Sequence, residues 1–172
     1  MKDFRKLFII ALVVGNCIGC DQVSKNIATN TLKFTEPITY FGNLFRLQYA
    51  ENTGAFLSLG SDLSEISRTW LFTILSGGLL FLLLFYMLKN SHFSQKQVFA
   101  LSLILGGGSS NLIDRILNDG RVIDFMNMGI GELRTGIFNI ADVVIMLGMA
   151  LILLFSFRER SKQDSSEAEN TQ

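Results

Sequence analysis

The stretch IFNIADVVIMLGMALILLFSF, residues 137–157, is long and apolar enough to cross a lipid bilayer. A membrane-spanning helix needs about 20 largely apolar residues. Its first two turns nevertheless carry an amide, Asn139, and a carboxylic acid, Asp142. An ionisable side chain within a membrane is energetically expensive and usually has a function. The stretch therefore predicts a membrane helix whose amino-terminal end is a candidate site.

The composition of the 172-residue chain also favours a membrane protein. Hydrophobic residues make up 49% and charged residues 17% of the chain, and the mean hydropathy is +0.37. These values depart from those of ordinary soluble domains toward membrane proteins. Basic and acidic residues balance at 15 each, so the net charge does not predict a nucleic-acid partner.

Three further apolar segments accompany the opening one. Residues 69–88 contain no charge, whereas the first and third segments reach spanning length only when polar residues at one end are included. The predicted fold is an α-helical integral membrane protein of one domain, residues 1–157, with four transmembrane helices at 7–26, 69–88, 97–115 and 137–157.

The connections between these segments differ in character. Residues 27–68 contain alternating stretches such as TYFGNLFRLQYA, which predict strands. Residues 89–96 form a short basic turn, and residues 116–136 form a polar, glycine-containing outer loop. The polar tail, residues 158–172, is predicted to be disordered.

The distribution of basic residues predicts the orientation. With both termini in the cytoplasm, the cytoplasmic segments hold eight Lys or Arg in 29 residues, and the outer connections hold seven in 71. Cytoplasmic loops are normally the richer in Lys and Arg. In this orientation the polar motifs DQVSK, NLIDR and FNIAD all lie at one depth, near the outer surface.

The amino terminus also resembles a bacterial lipoprotein signal, which would make Cys20 a lipidated residue. Cys17 occupies the position where that signal has a leucine-like residue, and a mature lipoprotein would not normally have three more spans. We therefore interpret both cysteines as small apolar residues of the first helix. Their position predicts neither a disulfide framework nor a zinc site.

Several polar residues at the predicted outer edge have partners close in sequence. Asp21 and Lys25 are four residues apart, and Asn111, Asp114 and Arg115 share one helical face. Polar groups inside a helix bundle usually pair with one another. We interpret these five residues as structural links between helices.

Asp142 has no basic residue within a helical turn or two. A carboxyl group without a counter-charge becomes neutral at a membrane edge unless another group stabilises its charge or shares its proton. Asp124, in the apolar stretch RVIDF, is the natural candidate. Two carboxyl groups that share a proton form an aspartic-protease arrangement, in which the ionised group activates water and the neutral group donates to the scissile carbonyl.

Other chemistry has less support in the sequence. A Ser-His-Asp triad would need His92, the single histidine, which is predicted at the opposite side of the membrane. A Ser-Lys dyad of Ser109 or Ser110 with Lys25 stays open. No metal or organic cofactor is predicted. A small proton-coupled transporter subunit is the alternative function, and a purely structural membrane protein is a third.

Five motifs, DQVSK, NTGAF, NLIDR, VIDF and FNIAD, occur in that order, and over residues 8–157 the chain resembles the bacterial signal peptidase II family. The resemblance implies an aspartic endopeptidase of the inner membrane. Such an enzyme removes the signal peptide from diacylglyceryl-modified prolipoproteins and cuts before the lipidated cysteine. It also implies a small extracytoplasmic β-sheet after the first span and a mobile segment, between the third and fourth spans, that covers the site.

The resemblance implies a catalytic pair, Asp124 and Asp142, near the outer leaflet. Further positions match residues that support the site or contact substrate: Asp21, Lys25, Asn52, Gly54, Gly108, Asn111, Asp114, Arg115, Asn139 and Ala141. The expected partners are lipid-modified prolipoproteins and membrane lipid, and the protein is expected to be a monomer.

Overall fold

The computed structural model describes residues 2–53 and 64–170. Within these ranges the chain forms a bundle of helices and a small antiparallel sheet, which confirms the predicted fold class. The helices are α1 (Lys2–Leu32), α2 (Glu65–Lys89), α3 (Gln95–Leu117) and α4 (Ile140–Asn170). The strands are β1 (Ile38–Tyr40), β2 (Phe45–Asn52), β3 (Val122–Ile130) and β4 (Leu133–Arg134).

Among the described residues, three helical segments are long and apolar enough to cross a membrane. They are Phe4–Leu32, Thr69–Lys89 and Ile140–Arg158, with mean hydropathies of 1.7, 2.3 and 2.5. The third helix, α3, is not among them, because its buried surface carries serine, asparagine and aspartate as well as apolar residues. A fourth span at residues 97–115 therefore stays a prediction.

The glycine stretch at residues 106–108 shows why α3 can be less apolar than the other helices. A Cβ atom added to the first glycine would lie 2.7 Å from Cys17 Cβ in α1. On the second it would lie 2.5 Å from the Ala141 carbonyl oxygen in α4, and on the third 2.5 Å from Leu80 Cδ2 in α2. Consecutive helix positions point about 100° apart. α3 is therefore enclosed by the three other helices.

The sheet has the order β1-β2-β3-β4, and every neighbouring pair is antiparallel. Its first two strands come from the connection after α1, as predicted. The other two come from residues 116–136, which the sequence predicted only as a polar loop. Asp124 lies opposite Ala50 of β2, after a register irregularity between Leu47 and Ala50. The sheet thus carries Asp124 on an ordered strand.

Apolar packing fixes the sheet against the bundle. Phe125, next to Asp124 in β3, packs with Ala28 and Leu32 near the end of α1. This contact explains why α1 continues to Leu32, beyond the predicted limit at residue 26. The isolated bridge between Met126 and Phe138 similarly keeps residues 137–139 in extended backbone, so that α4 begins at Ile140.

At its other end, α4 continues to Asn170. The structure therefore places helix at residues 158–170, where the sequence predicted a disordered tail. This segment contains neither glycine nor proline, the two residues that most disfavour helix.

Candidate active site

Buried polar side chains meet at one end of the bundle, where α1, α3, the start of α4 and the sheet come together. The first group, here called the lysine cluster, comprises Asp21, Lys25 and Asp114. Lys25 Nζ lies 2.7 Å from Asp21 Oδ2 and 2.8 Å from Asp114 Oδ2, and each of the three side chains is at most 2% exposed. A buried charge is tolerated only when it is paired and hydrogen-bonded. Here one ammonium group forms ion pairs with two carboxylates.

Further donors complete the hydrogen bonding of Asp21. Ser110 Oγ donates to Asp21 Oδ2 at 2.7 Å, and the backbone N–H of Ala141 donates to Asp21 Oδ1 at 2.8 Å. Ser110 therefore belongs to the lysine cluster as a donor to a carboxylate. The Ser-Lys alternative loses its support, because the ammonium group of Lys25 is held by two carboxylates and the hydroxyl of Ser110 points to one of them.

Asp114 links the helices to the sheet. Its Oδ2 accepts from the backbone N–H of Ile123 at 3.0 Å, and its Oδ1 accepts from Gln22 Nε2 at 2.7 Å. The first bond fixes the start of β3 immediately before Asp124. Gln22 was not among the predicted residues, although its place beside Asp21 in DQVSK was a usable signal.

The second group, here called the acid pair, is Asp124 with Asp142. Asn139 contacts both acids, since its Nδ2 donates to Asp124 Oδ1 at 2.6 Å and its backbone N–H donates to Asp142 Oδ2 at 3.1 Å. Asn52 Nδ2 donates to Asp124 Oδ2 at 3.0 Å, and Asn111 Nδ2 donates to Asp142 Oδ1 at 2.9 Å. Each carboxylate thus accepts hydrogen bonds on both of its oxygens.

The spacing of Asn139 and Asp142 has a local structural cause. The backbone N–H of Asp142 donates to Asn139 Oδ1 at 2.9 Å, while the N–H of Asn139 donates to Asp142 Oδ2. This reciprocal pair is a capping box at the start of α4, with the acid three residues after the cap. Because the amide oxygen of Asn139 is occupied in the cap, its NH₂ group is directed toward Asp124.

Asn111 joins the lysine cluster to the acid pair. Its Oδ1 accepts from Lys25 Nζ at 2.8 Å and from Asn139 Nδ2 at 3.1 Å. An ammonium group can only donate, so Lys25 must face the oxygen of this amide. The NH₂ group of Asn111 is thereby directed to Asp142.

Among the side chains that the structure describes, no cation contacts the acid pair. Neither Asp124 nor Asp142 forms an ion pair with any residue whose side chain the structure describes. Burial raises the pKa of Asp124 on β3 from 3.8 to about 6. The hydrogen bond from Asn52 opposes this change, and the charge of Asp142 adds to it. The pKa of Asp124 rises because burial disfavours the charged form of a carboxyl group.

The remaining predicted residues lie around this core or away from it. Ala141 is fully buried and contributes its N–H to Asp21. Gly108 faces Leu80 of α2 rather than the acid pair, whereas its neighbour Gly107 makes the close approach to Ala141. Gly54 lies outside the described residues.

Arg115 lies one turn beyond Asn111 and donates from Nη1 to the Asn111 carbonyl oxygen at 3.4 Å. It forms no ion pair with Asp114, although the sequence allowed one. Its Nε is buried without a hydrogen-bond partner among the described residues. The side chain also lines a cavity of about 460 Å³ with Trp70 and Thr73 of α2.

Comparison with known proteins gives consistent matches. The family model described as signal peptidase (SPase) II matches residues 11–158. The lipoprotein signal peptidase of Treponema pallidum (strain Nichols) is 37% identical over 172 residues, covering 95% of this chain and 90% of the relative. That of Treponema denticola is 34% identical, covering 95% and 98%. A solved bacterial membrane enzyme, determined by the in meso method at 2.3 Å, has a TM-score of 0.71 and 27% identity, covering 89% and 90%.

Proposed function

The chain belongs to the signal peptidase II family, and on that premise we propose that it is an aspartic endopeptidase with Asp124 and Asp142 as its catalytic pair. It is a multi-pass membrane peptidase that removes signal peptides from lipoproteins. One observation carries the catalytic assignment: Asn139 bonds to both carboxylates, and no described cation pairs with either.

The environment of the acid pair supports general acid and base catalysis. With the pKa of Asp124 raised to about 6, the pair holds one proton more readily than two ordinary carboxyl groups do. We propose that one of the two acids carries this proton when water attacks and that the other acts as the base. Because interacting carboxyl groups exchange their protons, the proton belongs to the pair as it reacts.

The proposed reaction proceeds through a tetrahedral intermediate. The ionised carboxylate takes a proton from water, and the resulting hydroxide attacks the carbonyl carbon of the scissile peptide. The protonated carboxyl donates to the carbonyl oxygen as charge develops there. Collapse of the intermediate breaks the C–N bond. The leaving amine receives the proton that the base took from water, and the former carbonyl oxygen returns its proton to the other acid. Asn52, Asn111 and Asn139 keep both carboxyl groups oriented.

The position of the pair also supports a lipid-linked substrate. Asp142 lies in the first turn of α4, and the neighbouring Val143 and Met146 are 47% and 65% exposed. In a membrane protein, exposed apolar side chains at this depth contact lipid or a substrate helix. We propose that the substrate is a diacylglyceryl-modified prolipoprotein, cut before its lipidated cysteine. We further propose that the enzyme is a monomer of the inner membrane, with its termini in the cytoplasm and its site near the outer leaflet.

The transporter alternative has less support. A proton relay needs ionisable groups along the membrane depth. Here the polar clusters lie together at one end, and the core farther along the bundle is formed by Ile10, Met87, Val98 and Leu105.

The test is cleavage of a lipid-modified precursor and of the same precursor without lipid. Wild-type protein should cut only the modified form, and Asp124→Asn and Asp142→Asn should cut neither. Asp119→Asn is the matched control, because Asp119 is an exposed acid between α3 and β3 with φ of 52°, a conformation that asparagine adopts readily. Full activity of either pair variant would remove that residue from the proposed mechanism, and cleavage of the unmodified precursor would remove the lipid requirement.

A further inference from the structure

A cavity of about 640 Å³ opens at the end of the bundle remote from the acid pair. It lies between the start of α1 and the turn that joins α2 to α3, and its basic lining residues are Arg5, Lys6 and His92. Sixteen helical residues, about 24 Å along α1, separate Arg5 from Asp21. The cavity is therefore not part of the peptidase site.

Basic residues are concentrated around this cavity, at the start of α1 and in the turn between α2 and α3. Lys6 Nζ lies 3.1 Å from the carbonyl oxygens of both Leu88 and Asn90, which holds the ammonium group at the rim of the cavity and leaves it a further donor. Arg5 is exposed and forms no ion pair with any side chain that the structure describes. In sequence, residues 1–10 and 86–100 contain five Lys or Arg and one acid, Asp3.

A second, smaller cavity of about 280 Å³ continues the first along the outside of α1. The two share Arg5, Ile9 and Gln95, and the smaller one adds Phe4 and Phe8. These two aromatic side chains are 75% and 58% exposed. The larger cavity, which has basic lining residues, thus adjoins a smaller apolar cavity on the lipid-facing side of α1.

We propose that the two cavities together bind one anionic phospholipid. Its phosphodiester lies against Arg5 and Lys6, and the upper part of one acyl chain lies along Phe8 and Ile9. Basic pockets between membrane helices bind anionic headgroups, because each cation near the surface adds to the attraction. The smaller cavity selects a lipid over a free phosphate ion, which could not use the apolar contact. This binding does not depend on the catalytic assignment.

The proposal is tested by lipid retention on the full-length protein in neutral detergent, measured by native mass spectrometry. The probes are phosphatidylglycerol and, as the uncharged comparison, phosphatidylcholine. The variant Arg5→Gln/Lys6→Gln should retain phosphatidylglycerol about 30-fold less tightly, since each basic residue near a membrane surface contributes roughly a fivefold factor. Phosphatidylcholine retention should not change.

Lys96→Gln is the matched control, because Lys96 has the same charge at the same end of the bundle but does not line either cavity. Cleavage of the lipid-modified precursor shows that each variant is folded. Arg5→Gln alone gives a second measurement, since Arg5 makes no described ion pair that folding could lose. Unchanged retention in the variants, an equal loss in Lys96→Gln, or displacement of the lipid by millimolar inorganic phosphate would each overturn the proposal.

Discussion

The lysine cluster and the acid pair lie side by side and share Asn111, yet they accommodate buried carboxylates in different ways. In the lysine cluster, the ammonium group of Lys25 lies between Asp21 and Asp114. In the acid pair, the hydrogen-bond donors to Asp124 and Asp142 among the described residues are amide and backbone N–H groups. The same side chain is therefore structural where a cation neutralises it. In the proposed mechanism it takes part in proton transfer where its described donors are neutral.

The largest expected effect separates the two groups by activity. Asp124→Asn and Asp142→Asn should each lower kcat by about 10²- to 10⁴-fold, the range contributed by a general acid or base. Asp114→Asn should lower the free energy of unfolding, because Asp114 pairs with Lys25. Its kcat should fall much less than the kcat of either pair variant. The measurement is kcat on a lipid-modified precursor beside thermal unfolding in detergent. A stable Asp114→Asn protein without activity would contradict this division.

The next effect concerns stability. Lys25→Met removes the central cation and leaves two buried carboxylates facing each other. Breaking a buried ion pair by removal of one partner costs about 3–5 kcal/mol, and we expect the free energy of unfolding to fall by that amount. Unfolding by denaturant in detergent measures it. The double variant Asp21→Asn/Lys25→Met should recover part of the lost free energy of unfolding. If Asp114→Asn/Lys25→Met recovers more, the unpaired carboxylate of Asp114 is the more costly of the two.

A smaller effect tests whether the two acids of the pair interact electrostatically. The charge of Asp142 is one cause of the raised pKa of Asp124, so Asp142→Asn should lower that pKa from about 6. Burial is the larger cause and remains, so the pKa should stay above its ordinary value. Infrared difference spectroscopy across pH, with Asp124→Asn to identify the band, follows the protonation of this carboxyl. An unchanged midpoint would show that the two groups do not interact.

The smallest expected effect comes from an exposed ion cluster on the sheet. Hydrogen bonds from Arg121, Lys33 and Tyr49 lower the pKa of Glu51 from 4.5 to about 2. A lowered pKa stabilises the folded state above pH 4.5, and the contribution disappears as the pH falls from 4.5 toward 2.

Because exposed ion pairs contribute less than about 1 kcal/mol, Glu51→Gln should lower Tm slightly at pH 7 and less at pH 3. Thermal unfolding of both proteins at the two pH values gives the comparison. If Glu51→Gln destabilises the protein as much as Lys25→Met does, solvent exposure does not explain why the Glu51 cluster and the lysine cluster differ in their contribution to stability.

Much of the site could be predicted from the sequence, because charge in an apolar segment is so unfavourable. The absence of a basic residue near Asp142 along the chain pointed to Asp124 as its partner, and the fold brings both acids to Asn139. The sequence showed Asn139 and Asp142 only as polar residues in the first turns of an apolar stretch, and the reason for their three-residue spacing was not evident. The spacing proved to be that of a cap, which places both groups at the helix start.

The rest depends on contacts between distant parts of the chain. Nothing local in residues 116–136 predicts that β3 pairs with β2, about 70 residues earlier, since register is set by long-range packing. For the same reason, the sequence could not tell which glycine of 106–108 faces which helix. Gly107, rather than the predicted Gly108, makes the close contact beside Ala141.

The capping box at the start of α4 gives Asn139 two structural roles in one side chain. The amide that ends the helix also holds both acids. A replacement that cannot cap would unwind the first turn and displace Asp142, while one that caps without an NH₂ group would release Asp124. A single substitution at Asn139 is therefore expected to disturb the start of α4 and the acid pair at the same time.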